Sequence, residues 1–210
     1  MADQETILNY ALTTLTRIKN RLVITSTGHD AVLQRIINAA TDFLEGECNR
    51  RFLSTAYANE VYSVYADSQE YLLLKQSPVS ALTKLEYRAG TPSNPAWTEF
   101  LADNYELLED GKSGIIKVYG GLSKGANSVR ASYTAGYLIN FANAGDLTKH
   151  TLPADLTDLC ERLVIRWFKR REAEGKSSES AQGDNINWQA DLNKEDKETL
   201  ARYKKLPMFI

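Results

Sequence analysis

The hydrophobic periodicity of the chain changes twice, and these changes limit the available folds more than any motif does. Between residues 31 and 49, apolar side chains recur every three or four positions, which predicts an amphipathic α-helix. From 55 to 137 they alternate with polar side chains, which predicts strands of an antiparallel sheet with one covered face. The helical spacing returns from 153 to 174. We therefore expect an α+β fold, in which an antiparallel β region is inserted into a small helical bundle.

The predicted bundle contains a third, shorter helix near 13–23, and Asp30 is the expected N-cap of the helix that follows it. We expect the two longer helices to pack together through their apolar stripes. These stripes consist of Leu33, Ile36, Ile37, Ala40, Phe43, Leu44 and Cys48 on the 31–49 helix, and Leu156, Leu159, Cys160, Leu163, Val164, Trp167 and Phe168 on the 153–174 helix. Both cysteines fit the stripes as small buried residues, while a disulfide between them stays open.

Turn residues divide the β region into short strands. Gly111 and Gly114 supply the permissive backbone dihedrals of a hairpin between "YELLED" and "IIKVYG". The last strand, "SVRASYTAGY", alternates regularly, so Val129, Ala131 and Tyr133 are predicted to face the core. We expect this strand to complete a single sheet.

The carboxyl-terminal part of the chain differs in composition from the rest. Residues 176–191 are small, polar and charged, which is typical of a flexible linker between a core at 1–175 and an arm at 192–210. Asn193 is a plausible helix cap in this arm, which ends on the apolar sequence "LPMFI". Because an exposed apolar patch usually marks a partner surface, the arm is predicted to contact another protein.

Side chains that carry chemistry are scattered along the sequence. His29 and His150 lie in polar turns, without cysteines or carboxylates at a metal-ligand spacing, and we interpret them as solvated or capping residues. Glu45 and Glu47 fall on different faces of their helix and are expected at the surface. The sequence contains no Gly-x-Ser-x-Gly motif. We therefore predict no catalytic site, no cofactor and no metal.

The charge balance argues against a dedicated nucleic-acid-binding protein. The chain has 25 lysines and arginines against 27 acidic residues, a net charge of −2. A glycine-rich turn, "YGGLSKGAN", includes Lys124, but it connects two strands and lacks the order of a phosphate-binding loop. Four cations crowd the end of the last long helix: Arg166, Lys169, Arg170 and Arg171. They can contact DNA or an acidic partner, or simply stabilise the helix carboxyl terminus, and both roles stay open.

No segment predicts attachment to a membrane or export. The apolar runs are only a few residues long, so we expect no membrane-spanning helix. The first ten residues, "MADQETILNY", are acidic and unlike a signal peptide. We expect synthesis in the cytoplasm of the producing cell.

The order of these parts resembles a known protein family. A helix ending in "NRRF" is followed by "LLLKQSPVSALTKLEYRAG", by the "YELLEDGKSGIIKVYGG" hairpin and by "VRASYTAGY". Next come "LPADLTDLCERLVIRWFKRRE" and a terminal "LARYKK". Taken together over about residues 12–205, this order resembles the head–tail connector proteins of tailed bacteriophages, also called head-completion or adaptor proteins. The loops at 91–97 and 138–151 depart in length from the family pattern.

The resemblance implies a structural virion protein at the head–tail interface, made in the host cytoplasm. It implies a homo-oligomeric ring, typically a dodecamer, that docks under the portal protein and extends the DNA channel. A stopper or tail-completion protein would attach to the far side, and DNA would pass without specific binding. The carboxyl-terminal arm would contact the portal, through Leu200, Tyr203, Leu206, Met208, Phe209 and Ile210.

Two alternatives stay open at this point. The first is another neck or tail-completion protein of the same virion, whose arm would contact tail proteins instead of the portal. The second is a small nucleotide- or nucleic-acid-binding enzyme that uses Lys124 and the basic cluster at 166–171.

Overall fold

The computed structural model describes residues 6–91, 93–171, 178–181, 184–187 and 192–205, with the backbone alone at 178–181 and 184–187. The helices in these ranges are α1 (Leu15–Leu22), α2 (Asp30–Cys48), α3 (Ala154–Arg170) and α4 (Lys194–Ala201). The strands are β1 (Thr55–Val64), β2 (Gln69–Leu73), β3 (Val79–Arg88), β4 (Trp97–Glu99), β5 (Tyr105–Leu107), β6 (Ile115–Leu122), β7 (Gly125–Ala135), β8 (Ser178–Ala181) and β9 (Asp184–Asn187). This arrangement confirms the predicted α+β fold and its carboxyl-terminal helix.

The described residues divide into two compact units. The helical unit consists of residues up to Asn49 together with those from Ile139 to Lys204. The sheet unit consists of Arg50–Leu138 and also includes Lys205. The β region is thus an insertion between α2 and α3, as the change of periodicity predicts.

The helices of the helical unit begin at well-defined caps. Thr14 is the N-cap of α1, and its hydroxyl accepts a hydrogen bond from the Arg17 amide at 3.4 Å. The predicted cap of α2 was wrong, because Asp30 is already the first helical residue and its carboxylate lies 2.7 Å from Nζ of Lys19. His29 occupies the cap position without a side-chain cap hydrogen bond.

The core of the helical unit contains most of the two predicted stripes. Helices α2 and α3 pack together, and the rings of Phe43 and Trp167 meet edge to face with centroids 5.7 Å apart. Cys48 and Cys160 are buried and free, and burial raises the pKa of the Cys160 thiol to about 12. The expected exposure of Glu45 was wrong, because this side chain is buried. Each fully buried leucine in this core contributes about 2 kcal/mol.

The sheet unit contains two antiparallel sheets instead of the single sheet that we expected. One has four strands in the order β1-β7-β3-β4, and the other has three in the order β2-β6-β5. Strand β6 ends beyond Gly120 and Gly121, both of which have positive φ angles. The chain then turns, and β7 pairs with β1 and β3 instead of with β6. This pairing of β7, which the strand pattern does not encode, separates the sheets.

Strand β7 has the two faces that the sequence predicts. Val129, Ala131 and Tyr133 are buried, whereas the side chains between them are half-buried. Gly136 follows with a φ of +113°, and a Cβ atom there would lie 2.6 Å from the carbonyl oxygen of Leu53. Only glycine fits this corner without strain.

The division into a core at 1–175, a linker at 176–191 and an arm at 192–210 stays a prediction. Within the predicted linker, the backbone of β8 pairs with that of β9, from Ser178 opposite Asn187 to Ala181 opposite Asp184. In the arm, α4 begins with a capping box: the Asn193 side chain accepts from the Asp196 amide, and the Asp196 carboxylate accepts from the Asn193 amide.

Candidate functional site

The first candidate surface is the acidic side of α3, which binds α1. Glu161 is buried, and its carboxylate accepts a hydrogen bond from the Thr13 hydroxyl at 3.0 Å. The same carboxylate lies 2.6 Å from Nε of Arg17 and 2.9 Å from Nη1 of Arg21. The hydrogen bond that Arg21 donates to Glu161 is the largest cause of the raised pKa of Arg21, and Asp158, 2.8 Å away, adds to it. These charged side chains therefore form ion pairs that link α1 to α3.

A second cluster attaches α4 to α3. Asp196 is fully buried, and its carboxylate lies 2.7 Å from Nη1 of Arg162 and 3.0 Å from Nη2 of Arg166. Arg166 donates a charge-assisted hydrogen bond to this carboxylate, whereas Arg162 contacts it as an ion pair. The predicted contact of Arg166 with DNA or an acidic partner remains untested, but this side chain already has a structural role within the unit.

The other three cations of the predicted basic cluster lie at or just beyond the end of α3. The Arg171 side chain donates to the Phe168 carbonyl at 2.6 Å, and its guanidinium lies 3.9 Å from the centroid of the Phe168 ring. Lys169 is exposed and Arg170 is half-buried. These positions fit the stabilisation of a helix carboxyl terminus, and both Lys169 and Arg171 are exposed.

The predicted portal-contact residues divide into three groups. Leu200 is fully buried in the helical unit, so its side chain offers no surface to a partner. Tyr203 is half-buried, and its hydroxyl donates to the Asp155 carboxylate at 2.6 Å. The remaining four lie outside the described residues: Leu206, Met208, Phe209 and Ile210.

The sheet unit contains a buried ion pair that sequence reasoning missed. Glu86 on β3 accepts two hydrogen bonds from the Arg130 guanidinium, one of them at 2.8 Å, and lies 3.0 Å from Nζ of Lys84. The hydrogen bonds from Arg130 lower the pKa of Glu86 to about 2. Arg130 also lies over the Trp97 ring, 4.6 Å from its centroid. Glu86 on β3 and Arg130 on β7 lie directly opposite each other. Their contact therefore depends on the order of the strands in the sheet, which the sequence alone does not give.

A second missed cluster joins β1 to β7. The hydroxyl groups of Tyr62 and Tyr133 donate to the Glu60 carboxylate at 2.8 and 2.7 Å. Burial raises the pKa of both tyrosines well above the ordinary value. Two buried neutral phenols beside one carboxylate provide hydrogen bonding within the unit and no activated nucleophile.

The two histidines and the glycine-rich turn form contacts within the protein that explain them without a catalytic role. His150 was expected to be solvated or capping, but it is buried, and its Nδ1 accepts from the Asn140 amide at 2.9 Å. The ring of His29 meets that of Phe168 at 5.4 Å. At the turn before β7, the Lys124 amide donates to the Asp67 carboxylate at 3.0 Å. A carboxylate thus takes the backbone donor that a phosphate would need.

The described residues contain neither a metal site nor a membrane-spanning helix. Within the described ranges, no group of three or more histidines, cysteines and acidic residues is arranged to hold a metal ion. Among the same residues, no helix combines the length and the apolar character needed to cross a bilayer.

Comparisons with known proteins identify the family. The model of the head completion protein family matches residues 11–204. No curated protein matches the chain. The fold is similar to a chain from the neck of an empty gene transfer agent particle computed with C6 symmetry, with a TM-score of 0.58 and 16% identity over 100% of this chain and 97% of that one.

The fold is also similar to a chain from the virion of a native gene transfer agent particle. The TM-score is 0.54 and the identity 15%, over 100% of this chain and 98% of that one. At these identities the two structures support the fold alone. The family match covers nearly the whole chain and confirms the resemblance in the sequence. The chain belongs to the head completion protein family, and it is a structural, non-enzymatic protein of the virion.

Proposed function

We propose that the chain is the ring subunit of the head–tail connector, which docks under the portal protein and extends the DNA channel. The observation that carries this proposal is the family match over residues 11–204. The similar chain from a gene transfer agent neck comes from a structure computed with C6 symmetry, and a ring of twelve subunits is compatible with sixfold symmetry. A stopper or tail-completion protein would bind the side of the ring away from the portal.

The portal-binding part of this proposal concerns the carboxyl-terminal arm. Four of its apolar residues follow the last described position: Leu206, Met208, Phe209 and Ile210. Tyr203 precedes them at the surface of the helical unit. Because Leu200 is fully buried, we assign it to the core that anchors the arm and not to the portal contact.

The proposed channel does not require tight DNA binding. Each phosphate that a protein neutralises adds salt-dependent affinity, and strong affinity would slow the passage of DNA. The net charge of −2 is consistent with a wall that DNA passes without specific binding. Any direct DNA contact would fall first on Lys169, because Arg166 and Arg171 already have partners within the helical unit.

A binding experiment with purified portal protein tests the proposal. We expect native mass spectrometry to detect a complex of portal and this chain, and removal of residues 206–210 to weaken it. Leu147→Ser is a suitable control, since this exposed apolar residue lies in a loop of the helical unit outside the arm. If portal assemblies in every form fail to bind the chain, the connector function is wrong. If crosslinks from the arm reach tail proteins instead, the chain is a tail-side neck protein.

A further inference from the structure

Helix α4 is bound to the helical unit by a well-defined set of contacts. Its Leu200 side chain is fully buried, and the Cys48 sulfur of α2 lies 4.0 Å from the Leu200 carbonyl oxygen. Just beyond α4, Nζ of Lys204 lies 3.4 Å from a carboxylate oxygen of Glu47. Together with the Asp196 cluster on α3, these contacts define a docking site on α2 and α3. The site therefore fits α4 from any copy of the chain.

The connection from α3 to α4 is longer than docking within one chain requires. It consists of the 23 residues from 171 to 193. Asp196 binds Arg166, which lies about one helical turn before the end of α3, so the start of α4 is within about 20 Å of that end. About six extended residues span this distance. Docking within the same chain therefore does not explain the length of the connection.

The connection can reach the same site on a neighbouring copy. Strands β8 and β9 fold back on each other, with Ser178 opposite Asn187, so they add only about 5 Å to its span. The rest of the connection, 171–177 and 188–193, extends to about 45 Å at most. A compact unit of about 115 residues has a radius of gyration of about 13 Å, which places the centres of two adjoining units about 35 Å apart. The equivalent site on an adjoining copy is therefore within reach.

We propose that, in the assembled ring, α4 of each copy docks on α2 and α3 of its neighbour. This inference rests on the proposed ring function, and it names the segment of the chain that links adjacent subunits. Exchange of an identical element between copies preserves every contact of the docking site, so it costs little free energy. In a closed ring each copy donates one α4 and receives one, so every docking site is filled.

The isolated chain holds its own α4 at this site, and assembly changes the competition. A helix attached to its own site has an effective concentration in the millimolar range, about a thousandfold above that of free chains at micromolar concentration. Portal binding places copies side by side. The neighbour's α4 then reaches a similar effective concentration, because the connection spans both distances. We therefore expect the exchange upon assembly and not before it.

Carbodiimide crosslinking of unaltered chains tests the proposal. The reagent joins the Lys204 amine to the Glu47 carboxylate, which form an ion pair across the docking site. Isotopically heavy and light chains are mixed in equal amounts and assembled on purified portal before crosslinking. If every α4 is exchanged, about half of the linked Glu47–Lys204 peptides will join a heavy chain to a light one.

A second ion pair of the helical unit provides the control. Nζ of Lys19 lies 2.7 Å from the Asp30 carboxylate, within 11 positions of the same chain, so these links should stay within one isotope. A mixed-isotope share for Glu47–Lys204 that exceeds the share for Lys19–Asp30 supports the proposal. Equal shares for the two pairs in the assembled ring would overturn it.

A shortened connection restricts α4 to its own chain. Deletion of residues 176–191 leaves seven connecting residues, which span about 23 Å and so reach the same-chain site but not the neighbour's. We expect Cys48 to stay protected from a thiol reagent, because α4 still covers it, while ring assembly on portal becomes at least about tenfold weaker. Replacement of 176–191 by a glycine–serine segment of the same length is the control and should assemble normally. Ring assembly by the shortened chain that equals that of the control would overturn the proposal.

Failure of this proposal is distinguishable from failure of the connector function. A ring on the portal whose Glu47–Lys204 links stay within one isotope would overturn the exchange of α4 and leave the connector function intact. Portal particles that stay bare would overturn the connector function, and the exchange with it. The crosslinking experiment uses the unaltered chain, so it decides the question even if the shortened variant loses its α4 contacts.

Discussion

Nε of Arg17 lies 2.6 Å from Oε1 of Glu161, although the two residues are 144 positions apart in the chain. This contact closes the helical unit across the whole inserted β region, because Arg17 belongs to α1 and Glu161 to α3. Glu161 is buried while Arg17 is half-exposed, so the carboxylate depends on its partners more than the guanidinium does.

Glu161→Gln should therefore destabilise the helical unit. The variant keeps a side chain of similar size but loses the charge that binds Arg17 and Arg21, and we expect a loss of about 2 kcal/mol. Urea unfolding followed by far-ultraviolet circular dichroism measures the change. Asp158→Asn is the matched control, because its half-exposed carboxylate pairs with Arg21 at the surface and should contribute less than about 1 kcal/mol. Equal effects of the two substitutions would contradict this account.

Asp196→Asn should loosen α4 specifically. The substitution removes the buried charge between Arg162 and Arg166, and weakens the capping box at Asn193. We expect hydrogen exchange of the α4 amides to become at least about tenfold faster, which corresponds to about 1.4 kcal/mol. Glu198→Gln, at an exposed position of the same helix, should leave these rates unchanged. Unaltered exchange in Asp196→Asn would show that the buried pairs do not hold the helix.

Gly136→Val should destabilise the sheet unit. Its φ of +113° is unfavourable for any other residue, and the new Cβ atom would lie 2.6 Å from the Leu53 carbonyl oxygen. We expect a loss of at least about 2 kcal/mol in urea unfolding, with faster hydrogen exchange in β7. Gly145→Ala is the control, since a Cβ atom there would have no atom within 4 Å. A fully stable Gly136→Val variant would contradict the corner geometry.

The ion pair of Glu86 with Arg130 should make the sheet unit less stable at acidic pH. Arg130 lowers the folded-state pKa of Glu86 to about 2 from an ordinary value of 4.5. Because the folded pKa is the lower one, the stabilisation is complete above pH 4.5 and is lost as the pH falls towards 2. Because Arg130 is partly exposed to water, solvent screens the ion pair. We therefore expect Glu86 to contribute about 1–2 kcal/mol to the free energy of unfolding, less than the full pKa shift would give.

Comparison with Glu86→Gln isolates this titration. Urea unfolding of both proteins should show the wild type as more stable at neutral pH, with the difference shrinking between about pH 4.5 and pH 2. A difference that stays constant across this range would mean that Glu86 does not titrate with the lowered pKa.

The sequence predicts those parts of the fold that depend on near neighbours. The apolar stripes of α2 and α3 follow helical spacing, and Val129, Ala131 and Tyr133 follow strand spacing. The buried faces of these elements could therefore be predicted from the sequence. The cap at Asn193 was predicted from the sequence for the same reason.

Distant pairings were not readable from the sequence. Glu45 looked exposed because it lies among polar residues on α2, and its burial depends on what packs over that face. The pairing of Glu86 with Arg130 depends on β3 lying beside β7, and the division into two sheets depends on β7 pairing with β1 and β3 instead of with β6. The portal contact remains a prediction, since four of its six residues lie outside the described ranges.

Imaging the chain on its purified portal tests the central proposal most directly. We predict that electron microscopy of the mixture will show a ring of this chain, with twelve subunits, stacked on one end of the portal and continuing its channel. A monomeric state without the portal would be compatible with this result, because the portal can serve as the template on which the ring assembles. Portal particles that remain bare at saturating concentrations of the chain, or that carry it away from the channel axis, would contradict the connector function.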